Sequence, residues 1–110
     1  MSYDENLAKR VRAALGPLPD LVEKKMFGGV GFMLQGNMAC GVNGDDLIVR
    51  VGPEKYAESI ARSHTKPFDI FSRKPMEGWI MVEPEGCKND PDLEGWTRLG
   101  IDYARSLPPK

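Results

Sequence analysis

Between Lys24 and Val51 the chain reads KKMFGGVGFMLQGNMACGVNGDDLIVRV, short apolar runs cut by Gly28-Gly29, Gly36-Asn37 and Asn43-Gly44-Asp45-Asp46. Runs at this spacing suit consecutive antiparallel strands joined by tight turns. Glycine and asparagine tolerate the positive φ angles such turns demand, so each break has a mechanism. The stretch predicts strands at about Val22–Phe27, Val30–Leu34, Met38–Val42 and Leu47–Val51. Alternation is clearest in the last, where Leu47, Val49 and Val51 share one face and Ile48 and Arg50 the other. Val30, Phe32 and Leu34, and then Met38, Cys40 and Val42, mark the apolar face of their strands. Gly31, Ala39 and Gly41 leave room for close packing on the opposite one.

Helical patterns flank this block. Ser2 and Glu5 have capping-box spacing, and Leu7, Val11, Ala14 and Leu15 recur as an apolar stripe. A first helix is predicted at about Tyr3–Leu15, closed by Gly16 and by Pro17 and Pro19. Gly52-Pro53 opens a second helix running to about Arg62, with proline where its missing N–H is harmless. His64 to Pro67 reads as a break, because a residue before proline avoids the helical region. Phe68, Ile70 and Phe71 are expected to plug one end of the core, and Arg73-Lys74-Pro75 forms a basic turn.

Gly78 to Glu83 reads as a fifth strand with two apolar faces, Trp79 and Met81 on one and Ile80 and Val82 on the other. Such a strand is covered on both sides, either by a second subunit or by the Pro67–Met76 segment of the same chain. Pro84 to Asn89 is a loop, after which Asp90 caps a third helix with Pro91 at its first position. Leu93, Trp96, Leu99, Tyr103, Ala104 and Leu107 line one side of that helix, and Pro108-Pro109 ends it. The order α-β-β-β-β-α-β-α implies an α+β fold: one two-layer domain over residues 1–110, an antiparallel sheet of about five strands with three helices.

A chain of 110 residues is the size of one core. With 41% hydrophobic and 28% charged residues it is too apolar for disorder. Its net charge of −1 provides no global field toward nucleic acid or an anionic membrane. The polar start Met1-Ser2-Tyr3-Asp4-Glu5-Asn6 has no secretory character, and no run approaches the roughly 20 apolar residues that span a bilayer. Cytoplasmic residence with Cys40 and Cys87 reduced is the expectation.

The pattern holds little overt chemistry. Gly29-x-Gly31 lacks the third glycine and the following helix of a dinucleotide fingerprint, and no Gly-Lys-Ser/Thr follows any glycine loop. His64, the single histidine, sits in a loop. Cys40 reads as a buried apolar residue, Cys87 as the more exposed and more reactive thiol. Trp79 and Trp96 occupy pattern positions that face inward. No catalytic, cofactor or metal-ligating set stands out. Lys24, Lys25, Arg73 and Lys74 can join in a basic patch, while Glu77 to Glu94 is acidic.

Lys25-Met26-Phe27-Gly28-Gly29, the hairpin and Leu47–Val51 strand after it, and Pro75-Met76-x-Gly78-Trp79 resemble the N-terminal domain of the TfoX/Sxy competence regulators across nearly the whole chain. The resemblance implies an α+β domain with an antiparallel sheet and a role in regulating transcription of DNA-uptake genes. It transfers no catalytic residue. Full-length regulators carry a second, C-terminal domain; this chain ends at Lys110 and is expected to be a stand-alone form.

The expected function is a non-enzymatic regulatory or protein-interaction domain, a homodimer, needing no cofactor and no membrane. Its candidate surface comprises Lys24, Lys25, Arg73, Lys74, Ile80 and Val82. The alternatives are direct nucleic-acid binding through the four cations and a small-ligand or enzymatic domain with a pocket between helices and sheet.

Overall fold

A computed structural model describes residues 3–26, 28–68 and 78–109, with the Met26 side chain excepted. The elements are α1 (Glu5–Leu15), β1 (Leu21–Met26), β2 (Gly29–Leu34), β3 (Asn37–Asn43), β4 (Asp46–Arg50), α2 (Pro53–Ile60), β5 (Thr65–Pro67), β6 (Trp79–Val82) and α3 (Asp90–Ser106). A 3-10 turn at Pro84–Gly86 precedes α3. The α+β expectation holds, with every adjacent strand pair antiparallel and the order β1-β2-β3-β4-β6-β5.

Each tight turn contains a glycine at positive φ, Gly28, Gly36 and Gly44. Between β2 and β3, Gln35 and Gly36 both adopt positive φ, the backbone of a tight hairpin. Asn37 follows, and its side-chain amide donates to the Pro108 carbonyl at 2.9 Å, fastening the chain beyond α3 to the hairpin end. A β-bulge between Phe32 and Met33 turns Ala39 toward the helices.

One principal core lies between the sheet and the helices. Leu7, Val11 and Leu15 of α1 and Leu93, Trp96, Ile101 and Ala104 of α3 meet Val30, Phe32, Leu34, Cys40, Val42, Leu47 and Val49. Tyr56 and Ile60 bring α2 against the same layer. A smaller cluster of Ile48, Phe68 and Met81, with Met38 and Trp79 at its margin, occupies the opposite face of the sheet. Period-two alternation accounts for the division: Ile48 and Met81 are paired across β4 and β6, one residue out of phase with the main core.

Several expectations change in detail. Helix α1 starts at Glu5, and its cap is Asp4: the carboxylate accepts from the Asn6 amide at 2.9 Å and the Leu7 amide at 3.2 Å. Tyr3 instead bridges to Gly44. Helix α2 stops at Ile60, and α3 is capped from Asn89. The break at His64–Pro67 contains β5, a three-residue edge strand on β6. Proline is tolerated on a sheet edge because its absent N–H is not needed there. Ile70, Phe71 and the basic turn lie outside the described residues.

Candidate interaction surface

The candidate residues do not form one surface. Ile80 and Val82 are fully buried in the main core, on the helix side of β6, so they cannot meet a partner. The second face of β6 belongs to Trp79 and Met81. Phe68 covers part of it, its ring 5.8 Å from that of Trp79, so the same chain supplies cover for this face. Trp79 is half-buried there, outside the main core, with the Arg50 guanidinium 5.0 Å from its ring. Arg50 also reaches the Tyr103 ring at 5.3 Å, linking the rim of the sheet to α3.

Lys24 and Lys25 are exposed on β1, and Arg73 and Lys74 lie outside the described residues. Consecutive strand residues point to opposite faces. Lys25 pairs in register with the core residue Val30, which places it on the helix side, and Lys24 pairs with Gly31 on the other. The two lysines therefore diverge, an arrangement ill-suited to gripping one phosphate track.

What β1 does present is an edge. It is the outermost strand at one end of the sheet, and Val22, Glu23, Lys24 and Lys25 are all exposed. Val22, at 53% exposure, is a large apolar side chain turned to solvent. On the helix side Glu23 accepts from Arg12 Nε at 2.7 Å, anchoring β1 to α1. At such exposure this pair contributes about 0–1 kcal/mol. The backbone N–H and C=O groups on an outer strand edge are a template for a further strand. The opposite end differs: β5 has three residues and ends in Pro67, and its Thr65 hydroxyl is held by the Arg62 carbonyl at 2.7 Å and that of Ile60 at 3.1 Å.

The chemically distinctive side chains are spread apart. Cys40 is wholly buried, and burial pushes its thiol up to about 12. Cys87 is also buried, contrary to the expectation of an exposed thiol, because the 3-10 turn folds it beneath α1. Burial raises its pKa, a tendency opposed by the Arg10 guanidinium and reinforced by Asp46. One Arg10 nitrogen donates to the carbonyls of Cys87 and Lys88 at 2.9 and 3.0 Å and meets Asp90 at 3.2 Å, pinning this loop to α1. His64 is exposed, with φ +64, and its carbonyl accepts from the Glu83 amide. Trp96 is buried as expected, with its indole N–H donating to the Gly86 carbonyl at 3.1 Å. A cleft of about 590 Å³ opens between the start of α2 and the later half of α3, with Val51, Gly52, Leu99 and Tyr103 beside Lys55 and Asp102. Among the described residues no three His, Cys, Asp or Glu side chains gather as a metal site, and no helix is long and apolar enough to cross a membrane.

The family model for the TfoX N-terminal domain matches residues 13–104. The chain belongs to that family. The match begins within the last turn of α1 and ends inside α3, so this TfoX N-terminal domain includes the whole sheet and both of its edges. It also contains the K-M-F-G-G and P-M-x-G-W motifs that carry the sequence resemblance. No curated protein and no solved structure matches the chain.

Proposed function

We propose that this TfoX N-terminal domain is a non-enzymatic regulatory module of the cytoplasm that works by protein contact, as a homodimer, with strand β1 as its contact element. The observation that carries the reading is the six-residue outer strand, exposed from Val22 to Lys25, with Val22 turned to solvent beside charged residues. A strand added there gains main-chain hydrogen bonds for affinity, while alternate side chains on each face provide selectivity. Family membership supports a link to transcriptional control, and by resemblance the process is DNA uptake.

The test is affinity capture from extracts of the source cells with three baits: the wild-type chain, Val22→Lys on the edge, and Glu94→Lys on the exposed side of α3. The expected result is a specific protein retained by the wild type and Glu94→Lys and lost with Val22→Lys. Equal retention by all three would remove β1 from the reading. A chain that neither captures a protein nor self-associates would remove the reading itself.

A further inference from the structure

Resting on the interaction-domain reading, we propose that the outer edge of β1 pairs with β1 of a second copy, antiparallel, about a two-fold axis passing through Lys24. In an antiparallel pair, residues directly opposite one another project on the same face of the joined sheet. A two-fold axis between identical edge strands therefore passes through a residue, and that residue faces its own copy.

The charges of Leu21-Val22-Glu23-Lys24-Lys25 discriminate between the choices. An axis through Glu23 sets the two Glu23 carboxylates against each other and places Val22 opposite the partner's Lys24. An axis through Val22 sets Glu23 opposite Leu21 and Lys24 opposite Asp20, which lies in the turn before β1 with its carboxylate 3.5 Å from Arg105 and so falls outside the strand pairing. An axis through Lys24 sets Glu23 opposite the partner's Lys25, and symmetry makes that attractive pair twice. It also takes Val22 out of direct register with any lysine. Glu23 and Lys25 lie on the helix side, so each Glu23 would stand between its own Arg12 and the partner's Lys25.

The cost of this register is one repulsive Lys24 pair on the axis. Lysine on an edge strand is a common guard against uncontrolled strand addition. Here it limits affinity, so the dimer is weak and reversible. The sheet is antiparallel throughout, and the added copy continues that pattern across twelve strands, six from each chain.

The test is sedimentation equilibrium over a concentration series of the full chain, with each variant's thermal midpoint recorded to confirm folding. The wild type is expected to form a reversible dimer. Lys24→Thr removes the axial repulsion and should tighten association about 1.5- to 5-fold, counter to the effect of losing an ordinary contact. Lys25→Glu turns two attractive pairs repulsive and should weaken it at least about 2- to 30-fold. The double variant Glu23→Lys/Lys25→Glu exchanges the charges and should recover much of that loss. Wild type and Lys24→Thr both monomeric at about 1 mM, or Lys25→Glu associating as tightly as wild type, would overturn the pairing. A monomer that still retains a protein through Val22 would overturn the self-pairing alone and leave the interaction-domain reading in place.

Discussion

Two glycines of α3 make matched probes of how the helix meets the sheet. Gly95 is exposed, and a Cβ built on it meets nothing within 4 Å. Gly100 is buried, and its Cβ would stand 3.0 Å from the Ala39 carbonyl carbon, with the oxygen closer still. Ala39 is main chain of a central strand and cannot rotate away, so α3 must lift to admit even one methyl group. Replacing glycine with alanine inside a helix is worth about 0.8–1 kcal/mol from propensity, and that gain is common to both positions. Overpacking costs about 1–3 kcal/mol and applies to Gly100 alone. Gly95→Ala should therefore stabilise by about 0.8–1 kcal/mol, and Gly100→Ala should lie about 1–3 kcal/mol below it. In a domain of this size that gap corresponds to roughly 4–12 °C in the thermal midpoint. Urea unfolding followed by circular dichroism measures it, with an unchanged slope showing that only stability moved. Two variants equal within about 0.5 kcal/mol would refute the close seating of α3 on β3.

Trp96→Ala should cost about 3–5 kcal/mol in the same assay, since the ring is buried and its N–H satisfies Gly86; a loss below about 1 kcal/mol would place the ring at the surface. Asp4→Ala should cost about 1 kcal/mol by exposing two amides of the first turn of α1, and Asp4→Asn should retain most of that stability. Both thiols should resist a disulfide reagent at pH 8 in the native protein and react fully in denaturant; one fast native equivalent would show that Cys87 is exposed. Cys40 stays protonated when folded up to about 12, whereas an unfolded thiol ionises near 9.0, so the unfolded state holds fewer protons in that window. Stability should then be intact below pH 9 and fall as pH rises toward 12, and Cys40→Ala should flatten that fall.

The elements most legible in the sequence were those with punctuation and periodicity acting together. Gly36 and the Asn43–Asp46 turn set the β2–β3–β4 meander, although the first turn is Gln35-Gly36 with Asn37 already in β3, and the apolar stripes of α1 and α3 identified the faces that meet it. β5 was not legible, because three residues ending in proline carry no alternation, and its pairing partner lies beyond an intervening segment. For β6 the difficulty was one of sign. Both of its faces are apolar, so periodicity separates Ile80 and Val82 from Trp79 and Met81 without saying which pair looks at the helices. Cys87 appeared exposed because its neighbours are polar; the Arg10 anchor on its loop comes from 77 positions away. The divergence of Lys24 and Lys25, by contrast, was already contained in their adjacency, since neighbours on a strand cannot share a face.

The two ends of the sheet are finished in different ways, and that asymmetry gives the functional reading its physical content. At the β5 end the strand is short, closes on proline, and is tied to the end of α2 through Thr65, so little backbone is offered to another chain. At the β1 end six residues run along the boundary, and the strand is fastened through β2 and the Arg12–Glu23 ion pair. A domain that needed only to remain monomeric could finish both ends alike, because exposed edges invite nonspecific strand addition. Here one end offers only three residues closing on proline, and the other carries an alternation of charge that favours one register with its own copy. Lys24 then has a definable part: it makes the edge selective by weakening every pairing that places a cation opposite, so a partner must supply either a carboxylate or compensating contacts on both sides.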